Sequence, residues 1–156
     1  MAGIFEVKIQ IAAPPEYVWK VLIDFEKYEE WNPFITKIEG EPKIGSHIVL
    51  HVRLNPRLDS IQFSKEMIIS LKENQHLSYD THFLSSSLFN AVRWQTIRPT
   101  EDGLSSIYHS QQKITGIASW PISRIFGDRI CEGFEASSLS LKKRAEELYK
   151  NRNSNN

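Results

Sequence analysis

Five histidines, one cysteine and 19 carboxylates are the groups in this 156-residue chain that could support metal, nucleophilic or acid–base chemistry. His47 and His51 have His-x-x-x-His spacing, which holds a metal when it lies on a helix. The surrounding run from His47 to Leu54 alternates instead, with Ile48, Leu50, Val52 and Leu54 on one side. On a strand those two rings stand ~13 Å apart, too far to share one ion. His76, His82 and His109 are scattered. Cys131 falls at helical spacing among small residues, which suits a buried core position better than a reactive thiolate. Asp24, Glu26, Glu29 and Glu30 cluster where a helix pair begins, and carboxylates there favour the helix dipole. No Gly-x-Ser-x-Gly elbow, His-Glu-x-x-His pair or glycine-rich phosphate loop occurs. No catalytic residue, metal ligand or cofactor is therefore assigned. What remains are polar groups on otherwise apolar strand faces. Tyr79 shares a face with Leu77 and Phe83, and Tyr108 shares one with Ser110, Gln112 and Ile114. A buried tyrosine hydroxyl needs a partner, which can be a ligand or the core itself.

The elements that carry these groups read clearly. Lys plus Arg equals Asp plus Glu, 19 each, so no global field favours nucleic acid or an acidic membrane. A single cysteine fits a reducing, cytoplasmic setting. No apolar run reaches the ~18 residues of a membrane span, and the alternating, charged start does not read as a signal peptide. Residues 1–150 read as one domain and 151–156 as a disordered tail. Ile4–Ala12 alternates as a half-buried strand. Val18, Val21, Leu22 and Phe25 then form a helical stripe that opens on two prolines and breaks at Asp24, and Asn32-Pro33 ends the helix pair. Six further extended runs follow, joined by short turns, which makes them antiparallel neighbours. Ser119 to about Lys150 reads as one long helix capped by Ser119, with Gly127, Cys131, Phe134, Ser138, Leu141, Ala145 and Leu148 on one seam. Its Leu141–Leu148 half is expected to pack closely and its Gly127–Ser138 half to leave room over the sheet. Added bulk at Ser138 is then expected to weaken ligand binding with little loss of stability. Lys142, Lys143, Arg144, Glu146 and Glu147 read as a solvated face.

One strand, two short helices, about six strands and a long terminal helix is the order of the helix-grip fold. The segment FEVKIQIAAPPEYVWKVLIDFEKYEEWNPF resembles the opening of the SRPBCC (START/Bet v 1-like) superfamily, including its polyketide cyclase/dehydrase-like branch. The residues that carry the likeness are Ala13-Pro14, Val18-Trp19, Asp24 with Tyr28, and Trp31-Asn32-Pro33-Phe34. A second stretch, Gln112 to Gly116 followed by Gly133-Phe134-Glu135 and Leu141 to Glu146, extends it over essentially the entire chain. The glycine-rich loop of the plant pathogenesis-related branch and the motifs of ring-hydroxylating oxygenases are missing. Where relatives often carry Gly-Glu-His in the sixth strand, this chain has Asn90-Ala91-Val92-Arg93-Trp94.

The resemblance implies an α+β fold in which a curved antiparallel sheet of about seven strands wraps the long helix around an apolar cavity. Tyr79, Tyr108 and Gln112 are then candidate polar anchors, Gln112 standing where relatives often place an inward Glu. Trp31, Phe34, Phe83, Trp94, Trp120, Phe126 and Phe134 are candidate mouth or wall, each equally at home in an ordinary core. Arg93 and Trp94 are adjacent on a strand, so only one points inward, and the indole is cheaper to bury. The expected role is binding of a small hydrophobic molecule or lipid, with no nucleic-acid partner and no stable membrane insertion. A cyclase or dehydratase acting on a polyketide-like compound through Tyr108, Tyr79 or a histidine is the second expectation. A protein-interaction module with an exposed apolar patch near Trp31 and Phe34 is the third.

Overall fold

Pro14 enters the first helix in an extended conformation (φ −60°, ψ 157°), and Pro15 occupies its first turn, where a missing N–H costs nothing. The computed structural model describes residues 3–81, 85 and 87–154, and in it this helix, α1, spans Pro15–Ile23 and buries Val18, Trp19, Val21 and Leu22. The chain leaves helical geometry at Asp24 (ψ 74°), makes a 3-10 turn over Phe25–Lys27, and enters the one-turn helix α2, Tyr28–Trp31. Asn32 is extended (ψ 111°), as the residue before a proline must be. Its side chain fixes the exit. Oδ1 accepts from the backbone N–H groups of Phe34 (3.0 Å) and Ile35 (2.9 Å), while Nδ2 donates to Ser137 Oγ on the terminal helix (2.9 Å).

Seven strands form one sheet: β1 Gly3–Ile11, β2 Ile35–Glu39, β3 His47–Val52, β4 Gln62–Lys72, β5 His76–Thr81, β6 Asn90–Pro99 and β7 Ser106–Thr115. Their order is β1-β7-β6-β5-β4-β3-β2, and every neighbouring pair is antiparallel. The six strands after the helix pair thus form a meander, and its last strand receives β1 on its free side. The turns hold the residues that such turns need. Asn74 takes a left-handed conformation (φ 60°) in the β4–β5 hairpin. Gly116 (φ 96°) ends β7, and a Cβ there would stand 2.6 Å from Leu88 O. The structure is the α+β helix-grip fold that the element order implied.

The long helix, α3, runs Ser119–Lys150 and packs against β1 and α1. Its buried seam is Ile130, Phe134, Ser137, Ser138, Leu141 and Ala145. Three details differ from the sequence reading. Ala118 is the residue before the helix and Ser119 is already its first residue, so Ser119 is not the cap. Cys131 lies outside the seam and is exposed, because a helix of 3.6 residues per turn carries Ile130 rather than its neighbour to the centre of the stripe. Leu148 is 41 % exposed, beyond the reach of the sheet. The charged face of α3 is also tied down. Lys142 Nζ donates to Gln10 O (3.0 Å), Glu146 accepts from the Ala12 N–H (2.8 Å), and Arg144 pairs with Glu30 (2.5 Å). These contacts hold the carboxyl-terminal half of α3 to β1 and α2.

Candidate functional site

The amino-terminal half of α3 rests on β1, where Ser123 meets Gly3 and Gly127 meets Phe5, and between it and the strands farther across the sheet lies a cavity of about 560 Å³. Ile122, Phe126, Ile130 and Phe134 line it from the helix, and Phe34 and Leu50 from the far side of the sheet. Gly133 sets how closely the helix approaches here, since a Cβ on it would fall within 2.2 Å of the Phe34 ring. Phe34 and Phe134 then meet edge to face with ring centroids 5.8 Å apart. The β3–β4 connection forms the rim through Leu54, Asn55, Leu58 and Ser60. Leu58 (55 %) and Phe63 (69 %) are exposed there, so the cavity opens to solvent at this end. Ser138 is fully buried but lies beyond the lining. Bulk at that position would press on the core rather than occupy the cavity.

The polar end is built by strand register. Tyr79 on β5 pairs with Arg93 on β6, and Arg93 pairs with Gln112 on β7, so three polar side chains stand in one row across the sheet. All three line the cavity. Glu66 reaches the same space from β4, two positions along from Ile68, the partner of Tyr79. Arg93 is 4 % exposed and Glu66 is 6 % exposed. The guanidinium lies over the Phe134 ring, its Cζ 4.3 Å from the centroid, and its Nε donates to Ser110 Oγ (3.2 Å). The ring's negative face offsets part of the cost of burying the charge. Among the described residues, no ion pair includes Arg93.

Burial governs the proton affinities of this cluster. It pushes the Glu66 carboxyl up to about 8, with help from Asp80 and against the lowering effects of Ser64, whose Oγ donates to Glu66 Oε1 (2.6 Å), and of the Arg93 charge. Glu66 therefore holds a proton at neutral pH. Burial likewise pushes the Tyr79 hydroxyl up to about 12 and raises those of Tyr108 and Tyr28. Burial opposes the charge on Arg93, but Tyr79, Tyr108 and Tyr28 outweigh it and raise the guanidinium further. The cavity thus combines apolar walls with a cation, a neutral carboxyl and a neutral phenol from the sheet, and a second cation, Arg129, from α3.

The candidate residues divide accordingly. Phe34, Tyr79, Gln112, Phe126 and Phe134 all line the cavity. Tyr108 faces inward but is fully buried beneath the lining, donating to Gln95 Oε1 (2.7 Å). Trp31 packs edge to face on Tyr28 (4.7 Å) outside the cavity. Trp120 is 57 % exposed on the outer side of α3. Phe83 lies outside the described residues. Trp94 faces away from the cavity, which reverses the expected order of Arg93 and Trp94. Parity explains it: Ala91, Arg93, Gln95 and Ile97 are the buried side of β6. Counting back from Ile97 identifies Arg93 from sequence, and counting back from Ile68 identifies Glu66. His51 and His109 donate from Nε2 on the outside of the sheet, to Glu39 (3.0 Å) and Glu6 (3.2 Å). Of the apolar patch expected near Trp31 and Phe34, Phe34 is buried.

A family model described as "Polyketide cyclase / dehydrase and lipid transport" matches residues 2–146. The chain belongs to that family. No curated protein matches its sequence. Solved structures under 25 % identical share the fold of this family member. A START superfamily protein from Mycobacterium smegmatis superposes with a TM-score of 0.71 at 18 % identity, covering 93 % of this chain and 98 % of that one. The Zhui aromatase/cyclase from Streptomyces sp. R1128 superposes with a TM-score of 0.65 at 19 % identity, covering 97 % and 96 %. Norcoclaurine synthase from Thalictrum flavum, solved with dopamine and hydroxybenzaldehyde, gives 0.68 at 13 % identity, covering 94 % and 88 %. Among the described residues of this family member, no helix is long and apolar enough to cross a membrane.

Proposed function

We propose that the chain binds a small hydrophobic molecule or lipid in the cavity between the sheet and α3, in a reducing, cytoplasmic setting. The observation that carries this reading is the cavity itself. Its volume of about 560 Å³ falls within the ~300–1,000 Å³ of small-molecule sites, and its apolar walls converge on a few placed polar groups. Membership of a family described by lipid transport as well as cyclisation supports it. The test is titration with Nile red, a neutral dye that brightens in apolar surroundings, alongside native mass spectrometry of the purified protein. Saturable dye binding is expected, and Ala91→Phe, which fills the cavity from β6, abolishes it. Wild-type protein that neither binds the dye nor carries a small molecule overturns the reading.

Glu66 supports a second reading, a cyclase- or dehydratase-like activity, for which the aromatase/cyclase and norcoclaurine synthase provide structural parallels. A carboxyl poised near neutral pH beside a buried cation can exchange a proton at the carbon next to a carbonyl while Arg93 stabilises the enolate oxygen. Hydrogen–deuterium exchange at the central carbon of benzoylacetone, followed by NMR, tests this. Exchange catalysed by the wild type and slowed ~10²–10⁴-fold in Glu66→Gln supports the activity. Equal rates remove Glu66 from any such chemistry.

A further inference from the structure

We propose that the cavity selects amphiphiles ending in a carboxylate, which Arg93 receives at the closed end with Tyr79 and Gln112 beside it. The inference rests on the binding role proposed above and names the chemistry of the ligand. Arg93 is 4 % exposed, lines the cavity and forms no ion pair among the described residues, and Glu66, the lining carboxyl that feels its charge, is held protonated by burial, so the cation lacks an anionic partner. The ring of Phe134 and the hydroxyls of Ser110, Tyr79 and Tyr108 engage the guanidinium, and none of them carries a charge that neutralises it. An incoming anion would complete the pair.

The surroundings specify which anion. Tyr79 and Gln112 flank Arg93 in the same row of the sheet, and both carry hydrogen-bond donors. Burial keeps the Tyr79 hydroxyl protonated, so it remains a donor across the physiological range. A planar carboxylate matches the two-pronged guanidinium and the flanking donors together. Glu66 is the one carboxyl among the described lining residues, and it argues against a dianion such as a phosphate monoester. A second negative charge would meet a group already reluctant to ionise. The walls from Phe34 to Ile122 are apolar and accept a hydrocarbon or aromatic body. A fatty acid and an aromatic acid share the required chemistry, and chain length against ring size separates them in the test.

Competition against Nile red, with melting temperature followed in parallel, compares dodecanoic acid, 1-dodecanol, dodecyl phosphate and 2-naphthoic acid. For the wild type, dodecanoic or 2-naphthoic acid is expected to bind about ten- to a hundredfold tighter than dodecanol, the range of one charge-assisted hydrogen bond. Arg93→Gln erases that preference, while Arg93→Lys retains part of it. The preference surviving in Arg93→Gln overturns the assignment, as does equal binding of acid and alcohol by the wild type. Dodecyl phosphate binding more tightly than both acids overturns the choice of a carboxylate. Should Arg93→Gln not fold, the wild-type comparison and Arg93→Lys decide the matter. Nile red binding without any preference for acids sinks this inference alone, whereas absence of dye binding sinks the binding role as well.

Discussion

Asn32 Nδ2 donates to Ser137 Oγ across 2.9 Å, joining the end of the helix pair to the middle of α3. The same side chain accepts from the Phe34 and Ile35 N–H groups, so one buried amide sets both where β2 starts and where α3 lies. Asn32→Ala leaves those donors buried and unanswered, and is expected to lower stability by about 1–3 kcal/mol. Asn32→Asp keeps both acceptor bonds and should fall between the variant and the wild type. Urea denaturation followed by tryptophan fluorescence measures both.

Gly133 lets α3 approach Phe34, and the absent Cβ is the reason it can. Gly133→Ala must push the ring or the helix aside. A loss of about 1–3 kcal/mol is expected from overpacking, together with altered Nile red affinity as the Phe34–Phe134 wall shifts. Alanine with wild-type stability and dye binding would mean the helix shifts freely, contrary to its ties at Lys142, Arg144 and Glu146.

The proton on Glu66 links folding to pH. Its folded pKa, about 8, lies above the ordinary carboxylate value of 4.5, so the unfolded chain releases this proton first. The contribution is fully present below pH 4.5 and is lost as pH rises through about 8. Ser64 and Asp80 act on the group from β4 and β5, Arg93 from β6, and Tyr79 and Arg129 line the same space from β5 and α3. Wild-type stability should decline between pH 5 and pH 9 by something on the order of a few kcal/mol more than that of Glu66→Gln. Parallel denaturation curves for the two proteins at both pH values would show that Glu66 is ionised in the fold.

Cys131 provides a separate check on the placement of α3. Exposed on the outer side, it should react fully with Ellman's reagent in the native state. Partial burial and the carboxylates of Glu135, Asp128 and Glu132 raise its pKa, so reaction at pH 7 should be slower than for free cysteine. Cys131→Ser should change stability by no more than about 0.5 kcal/mol. A thiol that reacts only on unfolding would return Cys131 to the buried seam.

Most of the architecture was legible in the chain because local chemistry and the global fold agree. Pro15, Asp24 and Asn32-Pro33 mark the helix pair, and alternation marks the strands. Part of the apolar half of the site was legible too: Phe134 sits on the seam that helical spacing assigns inward, and Phe34 and Phe126 were wall candidates that do line the cavity. The charged half was obscured by a rule that usually holds, that a strand buries its apolar side. Strand β6 does the opposite, placing Val92 and Trp94 outside and Arg93 and Gln95 inside. Its inward face is marked within β6 by Ala91 and Ile97 and fixed by pairing with β5 and β7, so parity counted from Ile97 outweighs the bulk of Trp94. Cys131 was misplaced by one position for the simpler reason that a seam read in steps of three and four can start on either of two neighbours.

The gradient along the cavity, from Phe63 and Leu58 in solvent to Arg93 in the interior, has a consequence for what can be accommodated. A molecule gripped at its acidic head would leave its other end pointing at the doorway, where Leu58 and Phe63 stand in solvent. Homologous acids should gain affinity with each added carbon until the walls run out and then level off without penalty, making the protein a reader of heads that is indifferent to tails.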